Sequence, residues 1–249
     1  MHNVGRRKFH EGRAKVFFES FDMGLLVQHF KDDSHVQDEP INTIDPISGK
    51  GIINNRISAF LMHHLELLGV KTHFVKSINM REQLVRKLDM LPMQIVARNI
   101  AAGDIVNRIG IKEGELLPQP LIEFYHKKNE ISNHLLTEDH MLIFEWLSPW
   151  ELDEIKRTTG RINDILSGIF VAFGIRLVDF GLEYGREYID SDDVGKLIVG
   201  DEITPDTCRL WDIKTNERFD RETMELFPKE AKEIYKKLAN RMGILDLSV

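Results

Sequence analysis

A predicted β-strand in the last third of the chain carries two carboxylates on one face with a glycine between them. Residues 177–185 read LVDFGLEYG, and side chains alternate between the two faces of a strand. Asp179, Gly181 and Glu183 therefore share one face with Leu177. Clustered carboxylates repel each other unless a positive charge lies between them, so a cation is one candidate partner for this face. The opposite face is predicted to be core: Val178, Phe180, Leu182 and Tyr184.

A second predicted strand, KLIVGDE at residues 196–202, ends in Asp201 and Glu202. If the two strands pair in antiparallel fashion, Glu183 and Asp201 lie close together. Mg²⁺ suits that position in a protein that handles phosphates, because it binds one or two carboxylates together with phosphate oxygens. The alternative is that exposed strand ends simply carry solvated acids.

Three basic segments are candidates for binding an anion. In EGRAKVFF, a turn glycine precedes Arg13 and Lys15, which would lay cations over phosphates. Arg98 ends the apolar run MQIVAR before a turn of small residues, and Arg209 follows the turn signal TPD. The alternatives are an exposed basic hairpin for the first segment and ion pairs with neighbouring acids for the two arginines.

The elements that must position these residues come as blocks of strands and helices, which predicts the α+β class. The segment RKFHEGRAKVFFES is predicted to be a hairpin, LLVQHF a strand and GIINNRISAFLMHHLELLG a helix. The longest predicted helix starts at Ser148, with Pro149 in its first position and Glu151 completing a capping box. The segment FPKEAKEIYKKLANRMG is predicted to be a closing helix.

Composition limits the class of protein. The chain has 249 residues, of which 42% are hydrophobic and 29% charged, and its net charge of −7 argues against general nucleic-acid binding. Its single cysteine, Cys208, allows no internal disulfide and fits a reducing compartment. The first residues lack the apolar stretch of a secretory signal, and no apolar run is long enough to span a bilayer. We therefore expect a cytoplasmic protein without membrane or nucleic-acid partners.

Taken in order, these segments resemble the SAICAR synthetase family, the phosphoribosylaminoimidazole-succinocarboxamide synthases of purine biosynthesis. The resemblance runs from about Arg7 to Gly243. It rests on EGRAK, FKDD, GKGIINNRIS, REQLVRKLDMLP, ARNIAAG, RIGIKEG, LVDFGLEYG and GDEITPDTCRLWD. It implies a two-lobed α+β fold, with a small β-rich lobe that covers ATP at residues 1–90. A larger catalytic and substrate lobe would occupy residues 91–249.

The resemblance also implies an activity and its ligands. Family members join the carboxylate of carboxyaminoimidazole ribonucleotide to the amine of L-aspartate, with ATP activating the carboxylate as an acyl phosphate. Such a phosphoryl transfer depends mainly on positioning and charge neutralisation, for which ATP and Mg²⁺ are the expected cofactors. A homo-oligomer is expected on the same basis.

Carried over by position, the resemblance assigns roles to individual residues. Lys15, Asp179 and Arg209 are the predicted catalytic residues, with Asp179 in the substrate cleft. Glu183 and Asp201 are the predicted metal ligands. The predicted nucleotide-binding set is Arg13, Lys15, Val85, Met90, Lys127, Glu183 and Asp201. The predicted substrate-binding set is Arg98, Asp104, Asn133, Gly181 and Arg209, of which the two arginines would hold the ribonucleotide phosphate.

The sequence departs from the family pattern mainly in the substrate half. Gly181 replaces the lysine of an Asp-x-Lys-x-Glu strand, and Asp104 replaces the serine that follows the turn glycine. Gln94 replaces a glutamate, and Asn129 and Asn133 replace aspartates. A carboxylate beside a phosphate is repulsive by about 1–4 kcal/mol at ~4 Å in a wet site.

Three hypotheses follow from these departures. The first is a SAICAR synthetase that tolerates the changes. The second is a paralogous ATP-dependent amide ligase for another carboxylate and amine. The third is a relative without catalytic activity that binds nucleotides.

Overall fold

The computed structural model describes residues 6–12, 14–32, 47–127, 134–187, 195–220, 223 and 228–244. Within these ranges the chain forms two sheets of antiparallel strands with helices packed against them, which confirms the predicted α+β class. Arg13, Asn129 and Asn133 lie outside the described residues.

The first sheet has five strands in the order β1-β2-β3-β5-β4. Its strands are β1 Lys8–Glu11, β2 Lys15–Glu19, β3 Leu25–Phe30, β4 Phe74–Ser77 and β5 Glu82–Arg86. The hairpin and the strand predicted here are confirmed. Helix α1, Lys50–Leu67, joins β3 to β4. It buries Ile57, Leu61 and Leu65, which recur at helical spacing and pack into the main core.

The second sheet contains seven strands arranged around one long strand. They are β6 Asp89–Met90, β7 Met93–Ile100, β8 Leu116–His126, β9 His134–Leu136, β10 Ile175–Glu187, β11 Lys196–Gly200 and β12 Cys208–Asp212. Strand β10 pairs with β6, β7, β11 and β12, so most of the sheet depends on it. The change from one sheet to the other falls between Arg86 and Asp89. The lobe boundary at residues 90 and 91 stays a prediction.

A β-bulge in β10 corrects the predicted assignment of its faces. Opposite β12, Leu177 pairs with Leu210 and Asp179 pairs with Arg209, so Val178 is an extra residue on the β10 side. The bulge shifts the alternation by one position. Leu177 therefore packs into the main core together with Phe180, and not on the face of Asp179. Val178 belongs to a separate small apolar cluster.

Three further α-helices follow in the described residues: α2 Glu138–Ile143, α3 Pro149–Ala172 and α4 Pro228–Arg241. A short π-helical segment, Val106–Gly110, lies between β7 and β8. The predicted capping box of α3 is present, because Ser148 and Glu151 exchange hydrogen bonds with each other's main-chain N–H groups. Glu151 also accepts a 2.7 Å hydrogen bond from Nε of Arg186 in β10, so the cap ties the helix to the sheet. Across the described residues, no helix combines the length and the apolar character needed to cross a membrane.

The cap of α3 predicts a pH-dependent contribution to stability. Burial raises the pKa of Glu151, but Arg186 and Ser148 outweigh it and hold the pKa below its ordinary value near 4.5. The lowered pKa makes this contribution complete at neutral pH and lost as the pH falls through the folded-state pKa. We expect Glu151→Gln to lower the free energy of unfolding by about 1 kcal/mol at pH 7 and by less at pH 3.

Urea denaturation of both proteins at the two pH values tests this expectation. Glu154→Gln is the matched control, because Glu154 lies in the same helix and pairs only with the exposed Arg157. An effect of Glu151→Gln that is equal at both pH values would contradict the assignment.

Candidate functional site

Strands β7, β8 and β10 present one row of polar side chains on the same face of the second sheet. The register places Arg98 opposite Asp179, and Gln94 opposite Tyr125. Glu123 lies opposite Val96, two residues along each strand from these pairs. Because alternate residues share a face, these side chains converge on one surface. The sheet therefore positions Arg98 and Asp179, which the sequence analysis selected separately.

Arg98 is almost completely buried, at 3% exposure, and each of its five N–H groups has an acceptor. Nε donates to Glu123 at 2.7 Å, and Nη1 donates to Asp179 and to the main-chain oxygen of Ala102, both at 3.2 Å. Nη2 donates to Asp104 at 2.6 Å and to the hydroxyl oxygen of Tyr125 at 3.0 Å. The ion-pair alternative for Arg98 is thus what the structure shows, and its phosphate role stays a prediction.

Two more arginines join this cluster. Nη1 of Arg209 donates to Asp179 at 2.7 Å, and Nη2 of Arg108 donates to Glu123 at 2.6 Å. Gly103 allows the close approach of Arg209, because its backbone has a φ of +69° and a Cβ there would run into the guanidinium. We call the set Arg98, Arg108, Arg209, Asp104, Glu123, Tyr125 and Asp179 the arginine cluster.

The charges of the arginine cluster favour the ionised form of Asp104. Burial raises the pKa of Asp104, but Arg98 and Arg108 together with Tyr125 outweigh it and lower that pKa. Burial raises the pKa of Tyr125 to about 12, so its phenol keeps its proton at neutral pH. The hydroxyl can therefore donate to Glu123 at 2.9 Å or to Asp104 at 3.1 Å.

Sequence analysis missed Arg108, Glu123 and Tyr125. The only local signal was the alternation in LIEFYH, which puts Glu123 and Tyr125 on one face of a strand. Nothing in that alternation says which face meets Arg98, because the partner strand decides it.

The side chain of Gln94 fills the space beside Gly181 that a side chain at position 181 would need. A Cβ built on Gly181 would lie 2.5 Å from Nε2 of Gln94, so the glutamine amide fills the position that a side chain at 181 would take. These two residues are also two of the departures from the family pattern, a lysine and a glutamate lost together. The gap between the two carboxylates of β10 is therefore filled by a neutral amide, and the loss of one charge is matched by the loss of its opposite.

The second charged group lies at the junction of the two sheets. The predicted antiparallel pairing is confirmed, with Glu183 opposite Gly200. Lys15, at 7% exposure in β2 of the first sheet, pairs with Asp201 and with Glu202, the latter at 2.8 Å. Burial raises the pKa of Asp201, but the charge of Lys15 outweighs it and the net shift is downward. We call Lys15, Lys127, Glu183, Asp201 and Glu202 the lysine–acid cluster.

Glu183 receives its counter-charge from Lys127, whose Nζ lies 2.6 Å from Oε1. Burial and the charge of Asp201 raise the pKa of Glu183 to about 7, against the effect of Lys127. Such a carboxylate favours a further cation, and its hard oxygen donors fit Mg²⁺. Among the described residues no group of three or more His, Cys, Asp or Glu is arranged around a metal position. Mg²⁺ bound chiefly through phosphates and water needs only one or two carboxylates.

Val85 and Met90, two residues of the predicted nucleotide-binding set, lie close to the junction of the sheets. Val85 is fully buried in β5, whereas Met90 is 39% exposed in β6. Met90 rests on two glycines, since a Cβ at Gly185 or Gly200 would come within 3.0 Å and 3.1 Å of its side-chain atoms. A larger residue at position 185 or 200 would displace the side chain of Met90 from its present position.

The fold and the site together define an α+β protein whose central strand carries two charged clusters on neighbouring stretches. The model of the SAICAR synthetase family matches residues 8–242. A phosphoribosylaminoimidazole-succinocarboxamide synthase A of Bradyrhizobium diazoefficiens is 45% identical, over 96% of this chain and 92% of that protein. The phosphoribosylaminoimidazole-succinocarboxamide synthase of Hyphomonas neptunium is 44% identical, over 96% of this chain and 92% of that protein.

Solved structures agree with the sequence comparison. The phosphoribosylaminoimidazole-succinocarboxamide synthase from Ehrlichia chaffeensis matches with a TM-score of 0.89 and 42% identity, covering 96% of this chain and 99% of that one. A type-2 SAICAR synthetase in complex with ADP matches with a TM-score of 0.86 and 34% identity, covering 95% and 97%. The chain belongs to the SAICAR synthetase family.

The contact between Gly181 and Gln94 predicts that lysine is accepted at 181 only with a change at 94. In Gly181→Lys the new side chain must displace the amide of Gln94. The new ammonium also has no counter-charge of its own, because Asp179 and Glu183 already pair with other cations. We expect the double variant Gly181→Lys, Gln94→Glu to be more stable than Gly181→Lys by about 1 kcal/mol.

Thermal and urea unfolding of the two variants and of Gln94→Glu measure this coupling. Gln94→Glu by itself should not stabilise the protein, because it adds an unpaired carboxylate. If Gln94→Glu changes the stability by the same amount with glycine and with lysine at position 181, the two positions are independent and the prediction is wrong.

Proposed function

We propose that this chain is an ATP-dependent carbon–nitrogen ligase that joins the carboxylate of carboxyaminoimidazole ribonucleotide to the amine of L-aspartate. The observation that carries the proposal is that β10 holds both charged clusters, through Asp179 in one and Glu183 in the other. Four residues of strand separate their Cα atoms by about 13 Å. One rigid strand would thus position a nucleotide at one end of a cleft and the second substrate at the other.

At the nucleotide end, the lysine–acid cluster provides the charges that phosphoryl transfer requires. Lys15, with Arg13, and Lys127 would neutralise the ATP phosphates, and Val85 and Met90 would lie beside the adenine. Glu183 and Asp201 would hold Mg²⁺, which when bound adds positive charge next to the phosphate oxygens. The raised pKa of Glu183 supports this role, because a carboxylate that is costly to ionise without a cation gains most from one.

At the substrate end, the arginine cluster would bind and orient the ribonucleotide. Arg98 and Arg209 would take its phosphate, because a planar guanidinium donates two parallel hydrogen bonds to such a group. Asp179 bridges the two arginines and would hold them in the binding orientation. The neutral pair Gly181 and Gln94 would lie between the two clusters. Asp104 and Asn133 belong to the proposed substrate-binding set, although Asn133 lies outside the described residues.

Four further expectations belong to this proposal. Lys15, Asp179 and Arg209 are its catalytic residues, and the lobe boundary is at residues 90 and 91. The protein works in the cytoplasm, in keeping with its single cysteine, and acts as a homo-oligomer on small molecules, without nucleic acid.

The test is ADP release by the purified protein with ATP, Mg²⁺, L-aspartate and carboxyaminoimidazole ribonucleotide. We expect Lys127→Gln to lower kcat/KM by about 100-fold or more, because it removes a positive charge from the developing transition state. Lys127 is 44% exposed, so its replacement should leave the fold intact. Lys76→Gln is the matched control, an exposed lysine in β4 away from both clusters.

Omitting each substrate in turn identifies the reaction. ADP release that requires both the ribonucleotide and aspartate supports the proposal. Equal ADP release with and without the ribonucleotide, or equal activities of Lys127→Gln and Lys76→Gln, would refute it.

A further inference from the structure

Arg98 has no N–H group left for a ligand. Its five donors are all in use, on Glu123, Asp179, Asp104, the Tyr125 hydroxyl and the Ala102 main chain. An incoming anion can therefore contact this guanidinium only by taking the place of a present partner. The question is which partner can leave.

The partners differ sharply in exposure. The side chains of Glu123 and Asp179 are 7% and 5% exposed and belong to the central strands of the sheet. The side chain of Asp104 is 50% exposed and follows Gly103 at the start of a short helical segment outside the sheet. Tyr125 also lies in the sheet, and Ala102 is buried, so Asp104 is the exposed partner that can leave Arg98 without disturbing the sheet. Its departure would free Nη2, a donor on the accessible side of the cluster.

Charge gives the same answer. The arginine cluster contains three guanidinium groups and three carboxylates, so it is neutral as it stands. A phosphate dianion that entered with Asp104 in place would make the cluster negative and would meet a carboxylate at short range. The carboxylate of Asp104 and an incoming phosphate therefore cannot bind Arg98 at the same time.

We propose that Asp104 is an internal competitor for the anion site of the arginine cluster and so determines its specificity. Its carboxylate occupies the Nη2 donor of Arg98, and a phosphate monoester binds only by exchanging with it. The exchange makes binding of the phosphorylated substrate weaker than the three arginines alone would give. This inference rests on the proposed function only in taking the cluster as the site of the substrate phosphate.

The anchoring of Asp104 supports an exchange rather than a permanent ion pair. Arg108, whose side chain is 31% exposed, lies 3.3 Å from Asp104 through Nε, so a displaced carboxylate keeps a cation beside it. Tyr125 can turn its proton from Asp104 to Glu123, because both acids lie within hydrogen-bonding distance. Neither partner of Asp104 is left without a counterpart when a phosphate replaces it.

Ribose 5-phosphate is the probe, titrated by calorimetry into protein saturated with Mg²⁺ and ADP so that the nucleotide site is filled. We expect Asp104→Asn to bind it about 10-fold more tightly than the wild type, or better, since one like charge is removed at short range. Asp104→Glu should keep the wild-type affinity. Asp153→Asn is the matched control, an exposed aspartate on α3.

Two further measurements locate the effect. The double variant Asp104→Asn, Arg209→Gln should lose the gain, and ribose without phosphate should bind all variants alike. Thermal unfolding should show that Asp104→Asn is folded, because Arg98 keeps Glu123 and Asp179. Equal affinities of the folded Asp104→Asn variant and the wild type for ribose 5-phosphate would overturn the inference.

The outcome is independent of turnover. A gain in phosphate affinity without ligation activity would refute the proposed function and leave the competitor role standing. Ligation activity together with an unchanged affinity of Asp104→Asn for ribose 5-phosphate would support the proposed function and refute the competitor role. If both the ligation activity and the gain in affinity are found, Asp104→Asn should lower KM for the ribonucleotide by the same factor as the Kd for ribose 5-phosphate.

Discussion

The burial of one guanidinium group is the constraint on which the second sheet depends. A charge that is 3% exposed is tolerated only if partners replace the water it has lost. Those partners come from β8, from β10 and from the loop after β7, so Arg98 fixes three segments of chain relative to one another. The relative positions of these segments therefore follow from the need to supply Arg98 with hydrogen-bond partners. The same fact explains why the cluster is rich in acids although its proposed ligand is an anion.

Strand β10 sets the distance between the arginine cluster and the lysine–acid cluster, because it carries a residue of each. Asp179 and Glu183 lie on the same face of one strand, so the distance between the two clusters is set by backbone geometry and not by flexible loops. The bulge at Val178 ends this regular stretch, because beyond it the alternation shifts. Placing sites on a rigid element holds reacting groups in register better than a loop can. The neutral contact of Gly181 with Gln94 keeps the middle of the strand free of charge.

Local signals in the sequence predicted the elements well. The cap at Ser148, the helical spacing in α1 and the pairing of β10 with β11 all follow from residues close together in the chain. What could not be predicted depends on partners far away in the sequence. The bulge in β10 is defined by its pairing with β12. The contact between Gln94 and Gly181 forms between two strands, β7 and β10, that are far apart in the sequence. The face on which Glu123 and Tyr125 meet Arg98 is likewise decided by β7. The resemblance identified Arg98 and Arg209 together with Asp104 and Asp179, but not Glu123, the third acid of the cluster.

The position of Lys15 has a consequence for how the protein responds to its ligands. This lysine belongs to the first sheet, whereas Asp201 and Glu202 follow the last residue of β11 in the second. The charges that would receive a nucleotide and its metal are therefore among the contacts that join the two sheets. A ligand that draws Lys15 toward its phosphates, or a cation that binds Asp201, would weaken one ion pair between the sheets as it forms another contact. Other links between the sheets, such as the ion pair of Arg86 with Glu187 and the hydrogen bond from the main-chain N–H of His73 to Val199, would stay in place. A mutation of Lys15 would therefore affect both the affinity for the nucleotide and the contact between the two sheets.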